Sequence, residues 1–254
     1  MKLSRYYAHL ARDSGYSLAK GLALPFVRRG AVTHGGHAMI HPTLTYSPWT
    51  EDAAFQDVYQ RISGNTLVDV YRCYELWQLL EQLRDVPGDV LEVGVWRGGT
   101  GALMASRAAQ LGLDVTVYLC DTWRGMVKTS AQDPYYYDGK HSDTSIGIVR
   151  ALVDDTFHLT NVQLLQGVFP DDTGDAVTSE QLRLVHIDVD VYDSARDVLD
   201  WAWPRVPVGG VVVFDDYGCA ATPGVTKLVN ELQTEPDRFF VHNINGHALF
   251  IRQA

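Results

Sequence analysis

Two apolar runs end in carboxylates: Leu184-Val185-His186-Ile187-Asp188-Val189-Asp190 and Val211-Val212-Val213-Phe214-Asp215-Asp216. Each run reads as a buried parallel strand, so its acids fall at the carboxyl edge of a sheet, where open α/β folds bind ligands. Asp188, Asp215 and Asp216 together offer the oxygen ligands that a hard cation such as Mg2+ prefers, with room left for waters or a substrate. The competing reading makes these acids helix caps. A cap needs one acid per strand, and here each strand end carries two.

A second candidate cluster follows another short β-branched run. Leu91-Glu92-Val93-Gly94-Val95-Trp96-Arg97-Gly98-Gly99-Thr100-Gly101 reads as a strand that turns into a helix. Glycines suit such a turn because a ligand lying on it needs close backbone approach and positive φ angles. The spacing is neither a phosphate loop, because no lysine follows Gly99, nor GxGxxG, because Trp96 stands at the second glycine position. Asp121, just after the next run, is placed where an acid can accept hydrogen bonds from a ribose diol. As a lone residue it could equally cap or close a turn.

The elements that must hold these residues can be traced along the chain. From Asp89 onward, candidate strands at Val90 to Val93, Val115 to Leu119, Val162 to Gln166, Leu184 to Ile187 and Val211 to Phe214 alternate with segments of helix length. That is an α/β, doubly wound parallel sheet. Arg238 to Asn243 and His247 to Arg252 flank Ile244-Asn245-Gly246 and predict a C-terminal antiparallel hairpin. Residues 1–88 read instead as a helical N-terminal extension with a flap, which divides the chain into 1–88 and 89–254. Thr50 followed by Glu51 and Asp52 predicts a capped amphipathic helix, and the periodic apolar residues from Thr66 to Leu83 predict a second, ended by Pro87-Gly88. Thr33-His34-Gly35-Gly36-His37 and His41-Pro42 are too rich in glycine and proline for regular structure. They read as a mobile flap rather than as metal ligands. Tyr135-Tyr136-Tyr137 sits in an insert spanning Met126 to Asp143, either stacking on a ligand or packing the insert down. His186 reads as a core histidine, and Trp201 and Trp203 as packing residues.

Composition narrows the function classes. The 254 residues carry 21 basic and 31 acidic side chains, a net charge of −10, with no basic stripe, so nucleic acid is disfavoured as a partner. The 3 cysteines, Cys73, Cys120 and Cys219, are widely spaced and fit neither a disulfide framework nor a CxxC metal site. No apolar run reaches the roughly 18 residues of a membrane span, and Leu18 to Val27 lacks a cleavage site, so a cytoplasmic, unexported protein is expected. The apolar content of the helical N-terminus predicts a homo-oligomer.

Taken together, Glu92-Val93-Gly94-Val95-Trp96-Arg97-Gly98-Gly99, Asp121-Thr122-Trp123-Arg124-Gly125, the Asp188/Asp190 pair and Phe214-Asp215-Asp216-Tyr217 resemble the macrocin O-methyltransferase family. Members of that family are class I, S-adenosylmethionine-dependent enzymes that methylate sugar hydroxyls of glycosylated antibiotics with the help of a metal. The resemblance spans roughly Asp69 to Arg252. It implies a Rossmann-like methyltransferase sheet, S-adenosyl-L-methionine and Mg2+ as cofactors, and a glycosylated small molecule as substrate. It further implies that Glu92, Gly94 and Gly98 line the methionine part of the cofactor and that Asp121 holds its ribose. Asp188, Asp215 and Asp216 would hold Mg2+, and Asp190 would be the general base. Val189 stands where the family pattern has a small residue.

This chemistry suits the residue types. A sugar hydroxyl is a poor nucleophile, and a cation chelated by vicinal oxygens together with a nearby carboxylate eases loss of its proton. Three rivals remain at this level. The same fold could methylate a catechol-like diol; a dinucleotide-dependent oxidoreductase would want the missing GxGxxG turn; and a non-catalytic nucleotide-binding protein would have no use for two acidic strand ends.

Overall fold

The first strand-like run does become a strand, because both faces of Asp89–Val93 are covered: Val90 packs into one apolar core and Leu91 and Val93 into another. In this computed structural model, which describes residues 46–243 and 245–253, the same division repeats across a seven-stranded sheet. The strands are β1 (Asp89–Val93), β2 (Val117–Asp121), β3 (Val162–Gln166), β4 (Leu182–Ile187), β5 (Val211–Phe214), β6 (Arg238–Asn243) and β7 (His247–Arg252), in the order β3-β2-β1-β4-β5-β7-β6. The first five run parallel, and β7 runs antiparallel to both β5 and β6. Buried residues on both sides of β1, β2, β4, β5 and β7, with half-buried ones on β3 and β6 at the two edges, are what a sheet covered on both faces requires. The expected doubly wound sheet with its terminal hairpin is thus present. The flap with His34, His37 and His41 lies outside the described residues.

On one face, Leu184, Val213 and Leu249 meet helices α1 (Ala53–Ile62), α2 (Val70–Gln82) and α3 (Gly99–Gln110). On the other, Val185, Ile187 and Phe214 meet α5 (Tyr192–Ala202) and α6 (Pro223–Leu232), while a short α4 (Ile146–Arg150) precedes β3. Pro48–Ala254 forms one compact unit, so α1 and α2 share it with the sheet.

Local boundaries differ from expectation where side chains take backbone groups. Asp52, not Thr50, caps α1: its Oδ1 accepts the Phe55 N–H at 2.9 Å while residues 48–50 form a 3-10 turn. Helix α2 starts at Val70 because the carboxylate of Asp69 accepts the N–H groups of Tyr71 and Arg72. β2 begins two residues later than the apolar run suggested, since the Thr116 N–H donates to Asp89 Oδ1 at 2.8 Å before the ladder starts. Asp121 is therefore the last residue of β2. Between β1 and β4 the strand order reverses direction, which opens a crevice at their carboxyl ends.

Candidate active site

The crevice is floored by the turn after β1. Gly94 adopts φ +91°, and a Cβ there would lie 1.8 Å from the carbonyl oxygen of Asp188. Glycine is thus required by the backbone at the end of β4, a packing demand that precedes any ligand. Asp121 braces the same turn: Oδ2 accepts the N–H groups of Val95 at 2.7 Å and Trp96 at 2.9 Å, and Oδ1 that of Trp123 at 2.6 Å. Burial raises its pKa, against the opposing pull of those three N–H donors.

Gly94 and Asp121 both line the cavity, together with Thr100, Thr122, Phe169 and Asp188. Glu92 and Gly98, the other two residues implied as cofactor contacts, are not among its lining residues. Glu92 is fully buried and shares a hydrogen bond of 2.9 Å with His186 Nδ1 across the β1/β4 pair, leaving its own Oε2 and His186 Nε2 without partners. Gly98 opens α3 in a left-handed conformation, where a Cβ would meet Val149 Cγ1 at 2.8 Å.

The structure brings the strand-end acids together. One carboxylate oxygen each from Asp188, Asp215 and Asp216 can be chosen so that all lie within 4.8 Å of one another. Asp190 and Asp216 hold φ angles of +59° and +61°. Such a conformation costs a non-glycine residue on the order of 1–3 kcal/mol and persists only when the surroundings enforce it.

Burial, then the charges of Asp215, Asp190 and Asp216, drives the Asp188 pKa well above the ordinary carboxylate value. Burial and a carboxyl contact with Asp216 do the same to Asp190. Asp216 is raised by burial and by Asp215. Asp215 behaves oppositely: burial would raise it, but the hydrogen bond and charge of His247 and the charge of Arg72 hold it below its usual range.

Those two basic partners were not expected from the sequence. Arg72, on α2, reaches Asp215 Oδ2 and, at 3.1 Å, Asp216 Oδ1, while its Nε donates to Asp69 at 3.0 Å. His247 opens β7 fully buried, with Nε2 2.8 Å from Asp215 Oδ1 and Nδ1 on Glu75 Oε2. Burial would lower the His247 pKa, yet the two carboxylates on its ring nitrogens raise it, which favours the imidazolium form. Asn243 fixes Glu75 in turn at 2.6 Å. The signal that could have found α2's part is Asp69, Arg72 and Glu75 recurring every third residue along a helix whose other face is apolar. His247 gave only its place beside a turn.

The insert supplies one more contact. The Tyr136 hydroxyl donates to Asp190 Oδ1 at 3.0 Å, whereas Tyr135 and Tyr137 are 62% and 66% exposed. The tyrosine triplet is therefore split, its middle member turned into the site and its neighbours outward.

A sheet of this order with its ligand crevice at the β1/β4 reversal defines a Rossmann-like methyltransferase fold. The O-methyltransferase NovP superposes with a TM-score of 0.67, at 26% identity over 75% of this chain and 83% of that one. The calicheamicin methyltransferase CalS11 shares the fold with a TM-score of 0.59, at 17% identity over 86% of this chain and 99% of that one.

The sequence model of the macrocin O-methyltransferase (TylF) family matches residues 51–252, and the chain belongs to that family. It is 32% identical over 208 residues to the mycinamicin III 3''-O-methyltransferase of Micromonospora griseorubida, covering 74% of this chain and 78% of that one. It is 31% identical over 168 residues to the demethyldecarbamoylnovobiocin O-methyltransferase of Streptomyces niveus, covering 61% and 63%. The chain is an O-methyltransferase, which sets aside the oxidoreductase alternative. Among the described residues no helix is long and apolar enough to cross a membrane.

Proposed function

We propose that this enzyme moves a methyl group from S-adenosyl-L-methionine to a sugar hydroxyl of a glycosylated natural product, assisted by Mg2+. The observation that carries this reading is the cluster of Asp188, Asp215 and Asp216 oxygens within 4.8 Å, with Asp190 beside it, at the mouth of the glycine turn. The cluster fits a hard divalent cation: its donors are all carboxylate oxygens, and the pKa values of Asp188 and Asp216 are raised by mutual crowding as well as burial. When bound, such a cation would stabilise negative charge on the acceptor oxygen, and the sulfonium cofactor would supply an activated methyl.

The chain's own residues have separate tasks. Gly94 and Asp121 border the cofactor end of the cavity, and Asp190 accepts the acceptor's proton. Glu92 acts at one remove, through its buried pair with His186. The names of the relatives support a glycosylated acceptor, since one acts on mycinamicin III and another on demethyldecarbamoylnovobiocin.

An assay with S-adenosylmethionine and Mg2+ should therefore give methyl transfer to mycinamicin III or demethyldecarbamoylnovobiocin in preference to catechol. Faster methylation of catechol than of both glycosides would overturn the sugar assignment. The ribose assignment has its own test. Asp121→Ala should weaken S-adenosylhomocysteine binding by about 1–3 kcal/mol in calorimetry, the cost of losing hydrogen bonds to a charged acceptor. Because the variant also frees three backbone N–H groups, its urea stability must be measured beside it. A stability loss with unchanged affinity would reduce Asp121 to a brace of the turn.

A further inference from the structure

The insert between β2 and α4 is closed at its neck by backbone pairing: the Met126 N–H donates to Lys140 O at 2.8 Å and the Gly139 N–H to Met126 O at 2.9 Å. Inside this closed loop, two side chains point back to the segment that follows β4. Asp133, 1% exposed, accepts the Tyr192 N–H on Oδ1 at 3.0 Å and holds Ser130 on Oδ2. It thereby caps α5 from a distance, at a helix start where Val191 offers no side-chain cap. Gly224 passes so close that a Cβ there would lie 2.0 Å from Asp133 Oδ1. Three residues on from Asp133, the Tyr136 N–H donates to Asp133 O at 3.0 Å, and its hydroxyl reaches Asp190 Oδ1 at 3.0 Å.

Further contacts fix where the phenol can point. The ammonium of Lys140 stands 3.7 Å over the Tyr136 ring, and Lys128 ties the insert to Asp171 at 2.7 Å and Asp197 at 2.6 Å. Asp190 is held in a left-handed conformation that its own backbone does not favour. Both ends of the segment from Asp190 to Tyr192 are therefore gripped by one loop.

We infer that Tyr136 is a positioning residue for Asp190, and that the insert is the device which aims the base rather than a mere cover for the site. This rests on the proposed role of Asp190. By donating to Oδ1, the phenol fixes the orientation in which the Asp190 carboxyl group faces the cavity. Tyr136→Phe keeps the ring beneath Lys140 and removes only the hydroxyl.

The experiment is a double-mutant cycle of Tyr136→Phe and Asp190→Asn, run with the faster of mycinamicin III and demethyldecarbamoylnovobiocin and read alongside hydrogen exchange of the peptide containing Asp190 to Tyr192. Tyr136→Phe should lower kcat by roughly 10–100-fold, the scale of a misplaced catalytic group, with KM and S-adenosylhomocysteine affinity little changed. Added to Asp190→Asn, the same substitution should cost less than about twofold, since coupled residues are not additive. Amide exchange in that peptide should quicken whether or not either acceptor is turned over. If Tyr136→Phe leaves kcat and exchange unchanged, or raises kcat by unplugging the site, the inference fails while Asp190 keeps its role. If Asp190→Asn itself stays fast, the base assignment fails and takes the inference with it. Equal losses from Tyr136→Phe in both backgrounds would likewise overturn it.

Discussion

Stripping divalent cations with EDTA is expected to stop methyl transfer, and Mg2+ is expected to restore it. The structure makes this a sharper expectation than a count of acids would. Arg72 and His247 already compensate Asp215, which they hold below its usual range, so that acid does not by itself call for a metal. Asp188 is different. The charges acting on it come from Asp215, Asp190, Asp216 and Glu92, every one of which raises its pKa. A half-buried carboxylate surrounded by like charges favours its neutral form unless a cation offsets them. Asp188→Ala should accordingly abolish Mg2+ binding in calorimetry, while the fold, followed by circular dichroism, is kept. Full activity after chelation, with no heat of Mg2+ binding by the native enzyme, would turn the three acids into structural groups and remove the metal from the mechanism.

Replacing Asp190 by Asn should lower kcat by roughly 10²–10⁴-fold, the range for a lost general base. The amide keeps the shape of the carboxylate but cannot take a proton. Asp190 belongs to the site by geometry as well as by charge: it touches Asp216, accepts from Tyr136, and lines the same cavity as Gly94 and Asp121. Cofactor and Mg2+ affinities should change little, because the cluster of three oxygens does not include it. A kcat within a few-fold of the native value would mean that the proton leaves by another route.

The sheet was legible because its strands advertise themselves. Val162 to Gln166, Val211 to Phe214 and the two strands of the hairpin occupy the segments that β-branched runs and a turn signal marked out. The acids were legible for a related reason, since a carboxylate that ends an apolar strand has few places to go. What stayed hidden depends on contacts between distant segments. Arg72 lies 143 residues before Asp215, and Glu75 lies 172 before His247; no local pattern encodes either distance. Glu92 shows the opposite limit. The resemblance made it a contact of the cofactor's methionine part, and strand alternation turns its side chain into the core against His186, where the cross-strand register pairs the two. The cap of α1 was missed for a small reason: Thr50, Glu51 and Asp52 are all acceptable cap residues or neighbours, and only the 3-10 turn at 48–50 selects Asp52.

β7 is inserted between β5 and β6, and its first residue is the histidine that pairs with Asp215. During synthesis all four acids therefore leave the ribosome before the residue that holds one of them in place. A nascent or truncated chain ending before His247 would carry the acids without that partner, and Asp215 would have to rely on Arg72 alone. Such a chain would also leave β5 with an open edge, because β7 is its neighbour on that side. Completion of the sheet beside β5 and completion of the acid site thus wait for the same strand, β7.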